Sequence, residues 1–544
     1  MMSTAVLDTP IRLIAIGDAG RPVPLDAMEV GSKAANLQRL AALGLRVPPA
    51  FVVSTASCAE YLAAGQCMPA GLREHLHTAV RHLERATGRH LGGRHPLLVS
   101  VRSSPPVSMP GMLDTVLNVG LTESAVHGLV RVAGNPWLAW DAYRRFARGY
   151  AEVVMGCPPA PFDRLVDGHL QSAGVTSVQE LDPLAMRDLA RASVALARAL
   201  AGAPIPVDPA EQLEAAIAAV FRSWTSTRAR EYRRLTGLDD ETGTAVVVQS
   251  MVFGNGGGMS GSGVGFTRDP STGADALYVD FLYNAQGEDV VSGRQAVVAA
   301  SDLATALPGV YQELLASKPL LESALGDMQD FEFTVDDGRL YFLQTRAGKR
   351  TPWAALRIAV DMVQAGLTSP SAALESLRPY DLSSIDRVRL HADAGAGRIA
   401  RGVGAGLGVV SGAVVFDADR ARARAGDEPV ILVRPDIATD DVGGIAAAAG
   451  VLTAVGGRTS HAAVVARHLG KVCVVGCSEL RVDLARRRAT LGAHGLSEGD
   501  SLTLDGETGC VYAGVVPVTR ERPEALLAVV EQWRRDLGHG VAKS

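Results

Sequence analysis

Residues 254–265, Gly254-Asn255-Gly256-Gly257-Gly258-Met259-Ser260-Gly261-Ser262-Gly263-Val264-Gly265, place seven glycines in twelve positions. Such a run reads as a glycine-dense loop that presents many backbone N–H groups with few side chains to clash, a surface able to cover a polyphosphate. Its flanks are strand-like, residues 245–253 before it and Phe266-Thr267-Arg268-Asp269-Pro270 after it, which argues for an ordered lid rather than a linker. Gly257, Gly258, Gly261 and Gly263 are the members expected to approach a bound phosphate chain.

The rest of the chain alternates short apolar runs with helical patterns. Residues 31–45 read as a glycine, a charged residue and an Ala/Leu helix, followed by a strand at Phe51-Val52-Val53. Residues 97–101 read as a buried strand, with Arg102-Ser103-Ser104 and Ser108-Met109-Pro110-Gly111-Met112 forming a polar turn. Residues 122–200 are helical in pattern, with Trp137, Trp140, Tyr143 and Phe146 as a packing face. Further strands are expected at 276–281, 331–335 and 340–343.

At 544 residues the chain exceeds one ordinary core and implies about three or four structural units. A net charge of −5 gives no global attraction to nucleic acid or an anionic membrane, and no stretch offers a clean membrane span. The arginines within 420–424 read as a solvated face, and residues 445–455 as short buried elements. Six cysteines without a zinc-like pattern fit a reducing cytoplasm.

Gly456-Gly457-Arg458-Thr459-Ser460-His461-Ala462-Ala463-Val464-Val465-Ala466-Arg467 puts one histidine at the start of an apolar helix behind paired glycines. Thr459 or Ser460 can cap that helix, and first-turn N–H groups can stabilise an anion. Neutral imidazole is a competent nucleophile near pH 7, its ordinary pKa being about 6.5. This is how a chain would hold a phosphohistidine.

Other charged groups sit near the ends of strand patterns and suggest a nucleotide cleft. Lys33, in Val30-Gly31-Ser32-Lys33-Ala34-Ala35-Asn36-Leu37, could meet phosphate near a helix start, although its spacing is not that of a P-loop. Arg102 follows a buried strand and can orient a phosphoryl group, and Arg144 and Arg145 carry cationic heads on a helix. Alternation puts Asp330 and Glu332 on one strand face, with Gln344 ending the next strand. Two carboxylates and an amide can arrange Mg²⁺ and nucleotide phosphates.

The histidine segment, continued by Gly470-Lys471-Val472-Cys473-Val474-Val475-Gly476, resembles the phosphohistidine signature of the pyruvate, phosphate dikinase family. Arg458 stands where that pattern commonly has Met. The likeness extends to the Lys33 segment, with Ser32 and Ala34 in place of glycines, and to Val101-Arg102-Ser103-Ser104, with Ser104 in place of glycine. It continues through Tyr143-Arg144-Arg145-Phe146, which favours Arg145, and through the glycine lid with Phe266-Thr267-Arg268-Asp269-Pro270, where Asp269 replaces Asn. Gln329-Asp330-Phe331-Glu332-Phe333-Thr334 and Leu343-Gln344-Thr345-Arg346-Ala347 resemble the metal and phosphate edge, Ala347 replacing a frequent Asn. The resemblance implies His461 as phosphoryl carrier supported by Thr459, Lys33 on ATP phosphate, Arg102, Arg145 and Arg346 as catalytic charges, Asp330 at the nucleotide edge, and Glu332 and Gln344 on the metal.

Spanning residues 25–514, the resemblance implies an α/β multidomain protein. Residues 1–351 form an ATP-grasp nucleotide-binding region with a helical insertion near 112–205. A helical connector at 352–390 leads to a swivelling phosphohistidine α/β domain at 391–515 and a helical tail at 516–544. The implied activity is ATP- and inorganic phosphate-dependent formation of phosphohistidine with release of AMP and pyrophosphate, using ATP and Mg²⁺. Residues 515–544 are shorter than a TIM barrel of about 250 residues, so a truncated or split dikinase-like enzyme is expected: the pyruvate/phosphoenolpyruvate barrel resides on another chain, another phosphoryl acceptor replaces it, or the chain performs only the nucleotide half-reaction. Making phosphoenolpyruvate from pyruvate is therefore not expected of the chain alone. The alternatives are a small-molecule phosphotransferase with a different acceptor and a non-catalytic, ATP-responsive regulatory module.

Overall fold

The computed structural model describes residues 11–14, 25–107, 109, 112–236, 242–292, 298–391, 397–437, 441–458 and 460–540. The chain divides into two compact units, Met1–Gly256 with Tyr341–Thr345, and Gly257–Leu340 with Arg346–Ser544.

The first unit is built on an antiparallel sheet in the order Ile11–Ile14, Ala50–Val53, Ala245–Ser250, Val99–Ser104, Thr115–Val119. Valine-rich strands buried along their length explain its central position: all six residues of Ala245–Ser250 are buried. Arg102, Ser103 and Ser104, expected in a turn, continue the Val99–Ser104 strand and pair with Val247, Val246 and Ala245. The turn reading fails because ladder pairing to a central strand extends past the apolar run.

Helix Ala27–Ala42 packs beside this sheet and bends at Gly31, whose φ is 76°. Only glycine fits there: a Cβ on Gly31 would stand 1.7 Å from the Ser104 carbonyl oxygen. Ser104 Oγ uses the close approach, donating to the Val30 carbonyl at 3.1 Å and accepting from the Ala34 N–H at 3.2 Å.

The helical part is as the pattern implied, but it runs on past residue 205. Helices Glu123–Ala133, Pro136–Val153, Ala160–Ala173 and Pro183–Ala201 are followed by Pro209–Ser223 and Thr227–Thr236. Helix Pro136–Val153 starts at an Asn135 cap, with proline at its first position where no N–H is needed. Trp140, Tyr143 and Phe146 are buried along its inner face, and Trp137 is half-buried.

The second unit opens with a sheet in the order Val298–Ala299, Tyr278–Tyr283, Gly261–Phe266, Gln329–Asp336. Asp337 and Gly338, both at positive φ, make the two-residue turn before the next strand in sequence, Arg339–Ala347. Residues 261–265, expected in the loop, form a fully buried strand instead. Alternate glycines make this feasible, because Cβ atoms on Gly261, Gly263 and Gly265 would lie 2.1, 2.4 and 2.3 Å from the rings of Phe281, Phe333 and Phe331. Three phenyl rings occupy the face that the missing side chains leave open.

Farther along, an eight-stranded sheet has the order Arg398–Arg401, Cys510–Ala513, Ser501–Asp505, Val409–Val415, Val430–Arg434, Gly450–Thr453, Val472–Val475, Val403–Gly404. The strands Val409–Val415 to Val472–Val475 pair in parallel. Both faces are covered: Val430 and Leu432 face one cluster with Ala462, Ala463 and Ala466, and Ile431 and Val433 face another with Leu502 and Leu504. The residues between 352 and 390 are not wholly helical. After Pro352–Gln364 and Pro370–Leu377, strand Arg387–Leu390 pairs with Val518–Glu521, and helix Glu524–Gly540 buries Leu527 and Val530 against Leu356, Val360 and Leu377.

No helix among the described residues is long and apolar enough to cross a membrane.

Candidate phosphoryl-transfer site

In the first unit, Lys33 reaches from the second turn beyond the Gly31 bend to the adjoining strand. Its Nζ donates to the Ser103 carbonyl at 2.9 Å. Arg102, next in line on that strand, donates from Nη1 to the Leu343 carbonyl at 3.2 Å, and Asn36 Nδ2 donates to the Thr345 carbonyl at 2.9 Å. Arg102 and Asn36 thus meet the segment that carries Gln344, which lies within Arg339–Ala347 rather than at its end, while Lys33 is held on the Ser103 carbonyl beside Arg102. Two cations beside backbone carbonyls and an amide can bind and orient a polyphosphate.

A second cationic group stands on helix Pro136–Val153. Arg144 donates from Nε and Nη2 to Asp141 Oδ1 at 3.0 and 2.6 Å, and Arg145 donates from Nε to Oδ2 at 2.8 Å. Asn255 Nδ2 adds a bond to Oδ2 at 3.3 Å. Burial pushes the fully enclosed Asp141 carboxyl up, but Arg145 and Arg144 together pull it below its ordinary value. Sequence reasoning passed over Asp141, although an aspartate three and four residues before two arginines on one helix is the signal for this pairing. The structure brings Arg144 and Arg145 to the same carboxylate.

In the second unit, Asp330 and Glu332 lie on the same strand, Asp330 buried and Glu332 half-buried. Arg346 Nε donates to Asp330 Oδ2 at 2.8 Å. Burial raises the Asp330 pKa despite this arginine, whereas the Asp330 charge raises that of Arg346. Gly257 and Gly258 have open space where a Cβ would stand, whereas Gly261 and Gly263 have the packing reason given above.

His461 begins helix His461–His468, directly after the loop that leaves the carboxyl end of parallel strand Gly450–Thr453. Ligand-binding residues in parallel α/β sheets characteristically lie at such ends. Thr459 and the side chain of His461 lie outside the described residues, as do Ser108, Pro110 and Gly111. Ser460 occupies the cap position but accepts no capping bond. Its Oγ is turned toward Gly456, 2.9 Å from where a Cβ there would be, so the expected side-chain cap by Ser460 is not made.

Two family descriptions match the chain: the pyruvate phosphate dikinase AMP/ATP-binding domain over residues 64–302, and the PEP-utilising enzyme mobile domain over residues 426–509. The chain is 42% identical to pyruvate, phosphate dikinase of Entamoeba histolytica, over 93% of this chain and 58% of the relative. It is 42% identical to that of Clostridium symbiosum over 89% of this chain and 56% of the relative, and 44% identical to pyruvate, phosphate dikinase 1, chloroplastic, of Oryza sativa over 93% and 53%. The chain therefore spans a little over half the length of these relatives. At this identity across nearly all of its residues, the chain belongs to the pyruvate, phosphate dikinase family.

Proposed function

We propose that this chain uses ATP and inorganic phosphate to phosphorylate His461, the phosphohistidine half of a dikinase reaction. The observation that carries the reading is the meeting of Lys33 and Arg102, from a helix and a strand distant in sequence: Lys33 is held on the Ser103 carbonyl beside Arg102, and Arg102 reaches the Leu343 carbonyl next to Gln344. In the first step an imidazole nitrogen of His461 attacks the β-phosphorus of ATP, the bond to the α-phosphate oxygen breaks, and AMP leaves. In the second, an oxygen of inorganic phosphate attacks the terminal phosphorus of the pyrophosphorylated histidine, releasing pyrophosphate and leaving a single phosphoryl group on His461. The positive charges of Lys33, Arg102, Arg145 and Arg346 disperse negative charge as each bond breaks.

The AMP/ATP-binding description of the matched domain supports ATP as the phosphoryl donor, and the resemblance implies Mg²⁺ with it. The residues present suit that ion, because Glu332 is a half-buried carboxylate and Gln344 supplies an amide oxygen, both hard donors of the kind Mg²⁺ takes alongside phosphates and water. We assign Glu332 and Gln344 to it; bound there, Mg²⁺ would neutralise phosphate charge. Gly257 and Gly258 cover the polyphosphate as a lid. Residues 1–351 act as an ATP-grasp region, and residues 391–515 as a swivelling domain that carries His461 to a second acceptor, for which the relatives' name points to pyruvate. The need for such exact carriage is physical: a displacement of about 1 Å can cost about 100-fold in rate.

Incubation with ATP, Mg²⁺ and phosphate should yield AMP, pyrophosphate and an acid-labile phosphoprotein, and a folded His461→Ala variant should yield none of them. Retention of all three products by that variant overturns the assignment. Binding of ATP without AMP or phosphohistidine would instead favour an ATP-responsive regulatory module.

A further inference from the structure

The loop that introduces the His461 helix is pinned to the glycine-rich sheet of the second unit by an arginine. Arg458 Nε donates to the Gly404 carbonyl, and its Nη1 lies 3.4 Å from Asp269 Oδ2. Its Cζ stands 4.7 Å from the centroid of the Tyr278 ring. The Arg458 and Asp269 side chains are only 19% and 20% exposed, so their charges meet largely out of water. The Arg458 carbonyl in turn accepts from Arg467 Nη2 at 2.8 Å, and the buried Arg467 lies 5.7 Å from the Phe266 ring.

Asp269 and its neighbours belong to one part of the unit and Arg458 to another. Phe266 and Tyr278 lie on adjacent strands, Gly261–Phe266 and Tyr278–Tyr283, joined by the turn that holds Asp269. Arg458 and Arg467 belong to the segment that follows strand Gly450–Thr453 and carries His461. Within its own turn Asp269 uses only Oδ1, which accepts from the Ser271 and Thr272 N–H groups at 2.8 and 2.9 Å. An asparagine could make those two bonds equally well. The negative charge and Oδ2 are what remain for Arg458. Positions 269 and 458 are also two of the places where this sequence departs from the motifs it resembles, Asp for Asn and Arg for Met, and the fold brings both departures into one ion pair.

We propose that Arg458 and Asp269 form a charge clamp that holds the histidine-bearing segment against the glycine-rich sheet for phosphoryl transfer from ATP. The inference rests on the phosphohistidine reading and adds a positioning residue to it. Arg458 does not touch the reacting atoms. It sets the backbone three residues before His461, and because about a fifth of each side chain remains exposed, high salt weakens the clamp in part.

The test uses full-length wild type, Asp269→Asn, Arg458→Met and the double variant. Two measurements are made: single-turnover phosphohistidine formation with ATP, Mg²⁺ and phosphate, and hydrogen exchange of segments 262–283 and 456–468. Asp269→Asn should slow phosphohistidine formation about five-fold in the wild-type background, the upper range for such a pair, and by less than about two-fold once Arg458 is already Met. The ATP concentration for half-maximal rate should stay unchanged, and exchange should rise in both segments. Raising salt to about 1 M should slow wild type toward Asp269→Asn while leaving that variant nearly unmoved. Arg458→Lys, which keeps the charge, should recover part of the rate and of the salt dependence.

Losses that multiply in the double variant, or wild-type rates and exchange in Asp269→Asn, would overturn the clamp. If wild type forms no phosphohistidine at all, the proposed function fails, and hydrogen exchange alone decides the clamp. A non-additive rise confined to the two segments upholds it, and unchanged exchange refutes it.

Discussion

Replacing Asp141 by asparagine removes one charge from the centre of the Arg144–Arg145 group while keeping its shape. The wild-type carboxylate is fully buried, and Arg144 and Arg145 are 10% and 14% exposed. Its two oxygens accept three bonds from the arginines and one from Asn255. An amide offers one oxygen and turns an N–H₂ group toward donors, leaving two guanidinium groups short of compensation. Breaking a buried pair in this way costs about 3–5 kcal/mol. For a unit of this size that corresponds to a fall in its melting temperature of roughly 6–20 °C, at about 2–4 °C per kcal/mol. Calorimetry that follows the first unit's transition measures it. The folded Asp141 carboxyl is held below its ordinary value, so its stabilisation is complete above the unfolded pKa of about 3.9 and is lost as pH falls through the folded value. Wild type and Asp141→Asn should therefore differ most at neutral pH and converge in acid. A loss smaller than about 1 kcal/mol at pH 7, the scale of an exposed ion pair, would refute the argument that these arginines depend on Asp141.

Gly263→Ala puts a methyl group 2.4 Å from Phe333 and 2.8 Å from the Asp280 carbonyl oxygen, so urea unfolding should show a loss of about 1–3 kcal/mol from overpacking. Wild-type stability would show that the glycine serves something other than the phenyl rings. Arg346→Gln removes the charge that opposes burial at Asp330, so that carboxyl should rise further. A group with a raised folded pKa stabilises below its unfolded value and loses that contribution as pH rises through the folded one. The variant should therefore be most destabilised at neutral pH and recover on acidification, and Asp330→Asn added to it should restore part of the loss in thermal unfolding. In a phosphate-dependent exchange assay, His461→Asn should abolish transfer of label from ATP to protein while ATP still binds.

What the sequence disclosed best was chemistry carried by short segments. The Lys33, Arg102 and His461 segments stood out because each combines a glycine or strand pattern with one charged or nucleophilic side chain inside about a dozen residues; the fold sets Lys33 and His461 on helices as their patterns implied, whereas Arg102 lies on the Val99–Ser104 strand and not in the turn expected of it. The glycine run was legible as unusual but not as a strand. Alternating glycines look like a loop when nothing shows that Phe281, Phe331 and Phe333 lie opposite them, and two of those rings come from a strand some seventy residues later. Burial of those rings decides the conformation, and burial is a property of the pairing rather than of residues 261–265.

The Arg458–Asp269 pair shows the same limit in electrostatics. The two residues are 189 positions apart, and each taken singly is a departure from a motif with no evident purpose. A charge placed alone in a mostly buried loop is unfavourable, so an isolated Arg at 458 reads as a defect in the histidine segment. Set against Asp269, Tyr278 and the Gly404 carbonyl, it becomes a contact whose strength depends on where the segment sits. A segment that must bind firmly for one transfer and then leave for another is served by a pair that is mostly shielded when closed and fully hydrated when open, because hydration recovers much of the energy lost on separation. Local motifs point to the groups proposed to react; a contact such as Arg458–Asp269 arises only when residues distant in sequence are brought together by the fold.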